Sequence, residues 1–196
     1  MIMKNKIFLG ILTLLAFFGL AMKQTNISDQ AHIFNTTTKN LVTQKNDSYR
    51  TSKLSQKPEI NLVSVTNDKK FDNLKPKKNQ ILIVTIHKQR NNVQILVGSN
   101  FEKILSSTTT SNIIRYAGDD LRSNKNKTFN QGIRTVFNAC ATLIDQQYHL
   151  PVDKNTLSSE QLQKINHPNS VNLVWGIIIA IIVTIIFSWY QKRNKR

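Results

Sequence analysis

The chain has 196 residues and a formal net charge of +16 at pH 7, with 27 Lys and Arg against 11 Asp and Glu. Its single cysteine, Cys140, excludes an internal disulfide. Such a basic excess draws a protein toward anionic surfaces. A solvated surface rich in Lys and Asn that binds no partner explains the charge equally well, so charge alone does not choose between these two interpretations.

The N-terminus has the pattern of a secretory signal peptide. Lys4 and Lys6 precede an uncharged apolar run, Ile7–Ala21. This run is short for a membrane span but has the length of a signal-peptide core. We predict a signal peptide over residues 1–21, cleaved before Met22, with an uncleaved N-terminal anchor as the alternative. No cysteine follows the run directly, which excludes a lipoprotein.

The first part of the remaining chain predicts one helix and one strand. A thin apolar stripe from Thr36 to about Lys53 indicates a helix. Glu59–Val65 is rich in branched apolar residues and predicts a strand. Thr66–Gln80 is polar and contains a proline, so we expect a loop with at most one helical turn.

A hairpin is predicted next. Ile81–Ile86 is a continuous apolar run of strand length, which is typical of a central strand covered on both faces. His87–Asn92 has turn chemistry, and Val93–Gly98 reads as the second strand.

Two helices are predicted after the hairpin. The first runs from about Thr108 to Asp120, with Ser106 or Ser107 as its N-cap. Arg122–Asn130 is a hydrophilic loop. The second helix opens at Gln131, ends near Tyr148 and carries Cys140 on its apolar stripe, which predicts a buried structural thiol.

These elements predict the fold class and the domain. The order of helix, three strands with a hairpin, and two helices implies a small α/β layer domain over residues 29–148. Residues 149–170 are polar and predict a tether, within which Ser158 and Gln161 can cap a short helix.

The C-terminus predicts a transmembrane helix. Residues 171–190 carry no charge, and twenty helical residues span roughly 30 Å, the thickness of the hydrocarbon core of a bilayer. Residues 191–196 form a basic tail of the kind that stays in the cytoplasm. We therefore predict a single-pass cell-membrane protein with an extracytoplasmic domain. Nucleic acid is a poor partner for such a domain, because an exported domain seldom meets it and the basic residues are scattered.

The order of these segments, and the residues at their boundaries, resemble those of the TPM domain family, whose members are often exported and membrane-anchored. The opening motif is Asp29-Gln30-Ala31, and Glu59–Val65 matches the first strand of the family. The other matching segments are Asn79–Val84, Asn92–Gly98, Phe101–Leu105, Ser111–Arg115 and Phe129–Ile133. The resemblance covers roughly Asp29–Asp145 and implies an exported bacterial member of this family.

The chain departs from the family at four places, one of which is Ser99-Asn100, where glycines are expected between the third strand and the apolar-Leu pair. Thr66–Gln80 is too short for the helix that usually lies between the first two strands of the family. Ser107 stands where an Asp is expected after the third strand, and Thr128-Phe129 stands for an expected Asp-Tyr.

The resemblance implies a divalent cation or weak acid-phosphatase chemistry, since some TPM proteins have been described with one or the other. Calcium or magnesium would need grouped oxygen ligands. The acidic candidates are Asp29, Asp119 and Asp120. Adjacent residues on a helix point about 100° apart, so the pair at 119 and 120 predicts a solvated helix end. Asp29 is expected to be a cap or turn residue. No catalytic or cofactor-binding residue is assigned.

Two functions therefore stay open. The favoured hypothesis is a non-enzymatic module that binds another membrane protein, an anionic envelope polymer or lipid. The alternative is a divalent-cation-dependent acid-phosphatase-like hydrolase with a degenerate site.

Overall fold

The computed structural model describes residues 26–86, 89–167, 181–185, 187 and 190. The fold is mixed α/β, as the sequence predicted. The described residues form one four-stranded sheet in the order β1-β2-β3-β4. Its strands are β1 (Ile27–Asp29), β2 (Glu59–Val65), β3 (Gln80–Ile86) and β4 (Gln89–Val97).

The first three strands are parallel, and β4 runs antiparallel to β3. The sequence predicted three strands and missed β1, because three residues are too few to show an alternating pattern. The hairpin is confirmed, but β4 begins at Gln89 rather than Val93. The first four residues of β4 are polar, and for this reason the sequence pattern predicts a turn there. Strand β3 is central and buried on both faces, as its continuous apolar run predicted.

Six helices are described around this sheet: α1 (Thr36–Thr51), α2 (Asp68–Asp72), α3 (Ser107–Tyr116), α4 (Gly118–Leu121), α5 (Asn126–Gln147) and α6 (Ser159–Asn166). Helix α1 and the single turn of α2 agree with the sequence interpretation. Four N-caps accept a hydrogen bond from a backbone N–H in the first turn: Asn35, Asn67, Ser106 and Ser158, the last within a capping box.

Two helix boundaries differ from the prediction. The single helix expected from 108 to 120 is broken at Ala117, where the backbone leaves helical geometry between α3 and α4. Helix α5 begins at Asn126, inside the expected loop. Its preceding residue, Lys125, supplies no side-chain cap, so the sequence lacks the usual start signal.

The sheet separates two apolar layers. One face of β2 and β3 packs against α1, α3, α5 and α6 in the main core, which includes Ile60, Leu62, Ile81 and Ile83. On the other face, Val63 and Val84 belong to a smaller cluster that Phe71 and Leu74 partly cover. The short segment around α2 therefore covers this face of the sheet, where a layer of longer helices would otherwise pack.

Cys140 is fully buried in the main core, as predicted. Burial raises the pKa of its thiol to about 12. A thiol that is buried and protonated at neutral pH is an inert packing group.

The structure changes the interpretation of residues 149–170 as a polar tether. Leu150 and Leu157 pack against the main core, and Ile165 of α6 is buried within it. Three apolar residues spaced through a polar segment give no continuous stripe, which explains why the sequence did not reveal this packing. Through His167 the segment is part of the folded domain.

The predicted signal peptide, the basic tail and most of the predicted span at 171–190 lie outside the described residues. Within 181–190, residues 181–185, 187 and 190 are helical. In the part of the chain that the structure describes, no helix combines the length and apolarity needed to cross a membrane.

Candidate functional site

The two ends of the parallel strands define two edges of the sheet. We call the end where β1, β2 and β3 finish the carboxyl edge, and the end where β2 and β3 begin the amino edge. Because β4 is antiparallel, its last residue, Val97, lies at the amino edge opposite Ile81. Parallel α/β sheets generally bind ligands at the carboxyl edge, so that edge is considered first.

Asp29 ends β1 at the carboxyl edge, and its carboxylate accepts four hydrogen bonds. Oδ1 accepts from the backbone N–H of Ile33 at 3.0 Å and from the Ser64 hydroxyl at 2.8 Å. Oδ2 accepts from the backbone N–H of Phe34 at 3.3 Å and pairs with Lys39 at 2.7 Å. These four donors occupy the acceptor positions of a carboxylate. Asp29 therefore caps the turn after β1, the role that its sequence position indicated.

The electrostatics of Asp29 agree with this role. Burial by itself would raise the pKa of Asp29, but the hydrogen bonds from Lys39, Ser64 and the Ile33 backbone outweigh burial and lower the pKa. The carboxylate is thus held in its charged form by groups of the protein itself.

Ser64 and Thr85 continue a polar row from Asp29 across the sheet. In register, Asp29 pairs with Ser64 on β2, and Ser64 pairs with Thr85 on β3. The Ser64 hydroxyl accepts from the backbone N–H of Ala31 at 3.0 Å, so it links β2 to the turn. The Thr85 hydroxyl is buried, with no hydrogen-bond partner among the described residues. Sequence reasoning missed this row because strand register is invisible in a single sequence.

Asn130 closes the carboxyl edge from the side of α5. Its buried side-chain amide donates to the Ile33 carbonyl at 2.9 Å and accepts from the Asn35 backbone N–H at 2.9 Å. It thereby fastens the first turn of α5 to the start of α1. These hydrogen bonds at the carboxyl edge connect segments of the same chain to one another.

The other acidic candidates lie elsewhere. Asp119 and Asp120 are in the first turn of α4, not at the end of a longer helix, and this position favours negative charge. The Asp119 side chain is 99% exposed and pairs with Arg122 at 2.6 Å. The pair is a solvated helix terminus and does not join Asp29 in a metal cluster.

Two positions that depart from the family, Phe129 and Ser107, lie in different surroundings. Phe129 is buried in the main core, and Ser106, beside Ser107, caps α3. Ser107 lines a mostly apolar cavity of about 370 Å³ together with Glu102. Across the described ranges, no group of three or more His, Cys, Asp and Glu side chains is placed to hold a metal ion. Calcium or magnesium does not fit the donors present there, since the Asp29 oxygens are already occupied.

The amino edge carries a different kind of site, a polar groove of about 640 Å³ that we call the amino-edge groove. It is lined by Ser55, Gln56, Lys57, Glu59, Lys77, Lys78, Asn79, Gln80 and Asn100. Three of these side chains are cationic and one is anionic. Lys77 and Lys78 are exposed, whereas Lys57 contacts the Ser52 carbonyl and Glu59 accepts from Gln80 at 3.4 Å.

Two loops form the frame of this groove and fit together closely. The backbone N–H of Gly98 donates to the Gln80 carbonyl at 2.8 Å, and that of Asn100 donates to the Lys78 carbonyl at 3.1 Å. A Cβ atom at Gly98 would lie 2.0 Å from the Lys77 carbonyl oxygen. Only glycine allows this approach, and the approach fixes where the two exposed lysines stand.

A buried ionic cluster secures the C-terminal segment, and sequence reasoning missed it. Lys45 lies on the buried side of α1 and contacts Asp145 of α5 at 2.5 Å and Asp153 at 2.7 Å. The Tyr49 hydroxyl donates to Asp145 at 3.0 Å. We call these four residues the Lys45 cluster. Lys45 belonged to the predicted stripe of α1, but its partners are about 100 residues away in sequence.

The pKa values in the Lys45 cluster follow from burial and pairing. Burial raises the pKa of Asp145, although Lys45 opposes the change. Burial would lower the pKa of Lys45, but its two carboxylate partners raise it. For Asp153, burial is outweighed by the hydrogen bond from Lys45, and its pKa is lowered. The cluster joins α1, α5 and the segment after α5.

The described structure is thus an α/β domain whose mixed sheet is covered mainly by helices on one face. The family model described as TPM domain matches residues 27–143, more than half of the chain. The chain belongs to the TPM domain family.

Comparison with solved structures found the solution NMR structure of the N-terminal domain of a protein from P. gingivalis. It is 16% identical, the match covers 68% of this chain and 90% of that chain, and the TM-score is 0.49. No curated protein matched the chain.

Proposed function

We propose that the protein is a membrane-anchored, extracytoplasmic TPM-domain module that binds an anionic component of the cell envelope and performs no catalysis. The observation that carries this proposal is the amino-edge groove, where Lys57, Lys77 and Lys78 stand against Glu59. The net charge supports it: six of the 27 Lys and Arg residues lie in residues 1–21 and 191–196, which leaves 21 against 11 Asp and Glu, or +10, for the exported part, and the field of this charge attracts the same class of ligand.

The lining of the groove suits phosphate or carboxylate oxygens. Lysine ammonium groups bind such oxygens as point charges, and charge-assisted hydrogen bonds are stronger than neutral ones. The amides of Gln56, Asn79 and Asn100 add neutral polar groups to the same surface. The opposite edge offers a contrast, because the Asp29 carboxylate there is already fully hydrogen-bonded.

The exposed C-terminal residues support the membrane anchor. Ile181, Ile182, Val183, Ile185 and Phe187 are helical and have between 50% and 62% of their surface exposed. Contiguous exposed apolar surface marks a site that another apolar medium covers. With the uncharged run at 171–190, that medium is the hydrocarbon of a bilayer.

The topology can be tested with single engineered cysteines. The native Cys140 is buried and its pKa is raised to about 12, so the folded protein offers no competing thiol. In intact cells, a membrane-impermeant maleimide should label Ser55→Cys but not Asn194→Cys, and unmodified protein should stay unlabelled. Labelling of both variants, or of neither, would contradict the proposed topology. The mass of the purified protein distinguishes a cleaved signal peptide from an uncleaved anchor.

The binding function is tested with the full chain in nanodiscs of zwitterionic lipid. Linear polyphosphate and phosphatidylglycerol vesicles serve as anionic probes. We expect binding to at least one of them at 50 mM salt and strong weakening at 500 mM, since screening shortens the reach of exposed charges. A chain that ignores both probes at low salt does not have the proposed function.

The alternative is a divalent-cation-dependent acid-phosphatase-like hydrolase with a degenerate site, which the resemblance to the TPM domain family implies. The specific observation in its favour is that Ser107 and Glu102 share the cavity of about 370 Å³. The test is hydrolysis of p-nitrophenyl phosphate by the full chain with Ca²⁺ or Mg²⁺. If the chain hydrolyses this ester, and Glu102→Gln abolishes the hydrolysis without changing the melting temperature, the phosphatase function replaces the binding function that we propose.

A further inference from the structure

We infer that the amino-edge groove faces away from the membrane and binds a phosphate-bearing polyanion of the outer envelope, not the headgroups of the anchoring bilayer. This inference rests on the proposed function and adds the direction of the groove and the class of its ligand. It follows from the way the C-terminal segment is attached to the domain.

The segment from the end of α5 through His167 is fixed to the domain. Asp153 is tied to Lys45, and the backbone N–H of Leu157 donates to the Thr142 hydroxyl of α5 at 3.0 Å. Ile165 is buried in the main core. The position of α6 therefore determines how the domain stands relative to its anchor.

Helix α6 runs alongside α3 toward the carboxyl edge. It starts beside Leu157, at the level of Thr142, which is ten residues, or about 15 Å, beyond Gly132 along α5. Helix α6 contacts α3. Helix α3 is ten residues, or about 15 Å, long, so a helix that starts at the level of Thr142 and lies along α3 ends near the last turn of α3.

The end of α3 is placed at the carboxyl edge by its neighbours. Helix α4 follows directly, and Leu121 of α4 packs against Gly132 of α5. Two residues earlier on α5, Asn130 hydrogen-bonds Ile33 and Asn35, which follow the last residue of β1. Helix α6 thus finishes on the side of the domain where the parallel strands end.

The predicted span must begin near that side. Four peptide links separate His167 from Val171, and a fully extended chain covers at most about 3.6 Å per residue, or about 14 Å in total. The bilayer surface therefore lies close to the carboxyl edge.

The amino-edge groove lies too far from this surface to sense its charge. Strands β2 and β3 have seven residues each, so the two edges are about 23 Å apart at roughly 3.3 Å per residue. The Debye length at physiological ionic strength is about 8 Å. The groove volume of about 640 Å³ falls within the usual range of sites for extended small ligands. A polymer outside the membrane with several linked phosphates fits both the size of the groove and its distance from the bilayer.

The experiment compares two matched pairs of exposed lysines in the full chain. Lys77→Gln/Lys78→Gln removes two charges at the groove, and Lys125→Gln/Lys127→Gln removes two where α5 begins. Polyphosphate binding is titrated in zwitterionic and in phosphatidylglycerol-rich nanodiscs. At about 1 kcal/mol per lysine near an anionic surface, the groove pair should weaken binding about 30-fold and the control pair less than threefold, in both lipids.

Each outcome separates the site from the general function. Equal weakening by the two pairs means diffuse attraction and overturns the groove as the site, while anion binding itself survives. A second outcome concerns the lipid. If phosphatidylglycerol in the disc weakens polyphosphate binding by the unmodified chain but not by the Lys77→Gln/Lys78→Gln variant, the groove contacts lipid headgroups, and the inference that it faces away from the membrane is wrong. Absence of binding to polyphosphate and to anionic vesicles removes the proposed function as well.

Discussion

The carboxyl and amino edges of one sheet use polar residues in opposite ways. At the carboxyl edge the Asp29 carboxylate accepts four hydrogen bonds, and Asn130 fastens two helix starts together. At the amino edge the exposed Lys77 and Lys78 project from a groove that glycine packing holds in shape. At the first edge the Asp29 and Asn130 side chains are bonded by groups of the protein itself, although the Thr85 hydroxyl has no partner among the described residues, and the second edge keeps charge available for a ligand.

This difference teaches that the usual location of a site is a weak guide to function. Parallel sheets commonly bind ligands at their carboxyl edge. Here the acidic residue that the family resemblance highlights stands at that edge, but it serves the turn after β1. Substitutions at the two edges should therefore separate loss of stability from loss of binding.

The largest expected loss of stability comes from the Lys45 cluster, which connects the domain to its anchor. Lys45→Met leaves Asp145, whose side chain is 5% exposed, with the Tyr49 hydroxyl but no cation. We expect a loss of about 3–5 kcal/mol in the free energy of unfolding, measured by urea denaturation at pH 7.

The pH dependence of Lys45→Met has a defined sign. Without its cation, the pKa of Asp145 rises further above the unfolded value of about 3.9. A carboxyl group with a raised folded-state pKa loses stability as pH rises through that pKa. The difference in unfolding free energy between the unmodified chain and Lys45→Met should be largest above the raised pKa of Asp145 and should become smaller as pH falls toward about 4. Lys45→Met/Asp145→Leu should recover most of the loss, and an unchanged deficit in this double variant would contradict the explanation.

The frame of the amino-edge groove should be nearly as sensitive. In Gly98→Ala the new Cβ meets the backbone of Lys77 and Lys78, which cannot move away cheaply. We expect a loss of about 3 kcal/mol in urea unfolding, together with weaker polyphosphate binding. Gly118→Ala is the control, because its Cβ meets only the flexible Arg122 side chain at 3.1 Å. If the two variants were equally stable, the close packing of the groove loops would be wrong.

Asp29 tests whether the carboxyl edge is structural. Asp29→Ala leaves the Ser64 hydroxyl and two backbone N–H groups without their acceptor, which should cost about 2–3 kcal/mol. Lys39→Met removes only the half-exposed cation and should cost below about 1 kcal/mol. Both variants should bind polyphosphate as the unmodified chain does, and a selective binding defect in Asp29→Ala would assign a ligand to this edge.

The pKa of Asp29 gives this stability difference a pH dependence as well. Because the folded-state pKa is lowered, the stabilisation is complete above the unfolded pKa of about 3.9 and is lost as pH falls through the folded value. The gap between the unmodified chain and Asp29→Ala should therefore shrink below about pH 4 in denaturation curves.

The smallest effect is expected at the solvated start of α4. Asp119→Asn/Asp120→Asn changes one exposed and one partly exposed carboxylate, so the melting temperature should fall only slightly, through loss of the exposed pair with Arg122 and of the charge at the helix start, and by the same amount with or without Ca²⁺ or Mg²⁺. A metal-dependent rise in the melting temperature of the unmodified chain that this double variant abolishes would establish a cation site there.

Much of the fold follows from the sequence because its signals are local. The apolar run of β3, the stripe of α1 and the caps at Ser106 and Ser158 each lie within a few residues. The short β1 lacked such a signal. So did the packing of Ile165 on the core, since a few apolar residues scattered through a polar segment do not reveal which of them is buried or against what.

The candidate site was less predictable because it depends on contacts distant in sequence. The groove joins Lys57 to Lys77 and Asn100, and the Lys45 cluster joins residues about 100 positions apart. A single sequence contains the lysines and carboxylates but not their pairing. It indicated a basic excess without showing which of the basic residues share a groove.

The most direct test of the difference between the edges is the distance of each edge from the bilayer. A fluorophore is attached to Ser55→Cys at the groove or to Lys127→Cys at the start of α5, while buried Cys140 stays unlabelled. The full chain is placed in nanodiscs that carry a headgroup-attached nitroxide quencher. The account predicts strong quenching at position 127 and little at position 55. Equal quenching, or stronger quenching at position 55, would contradict it.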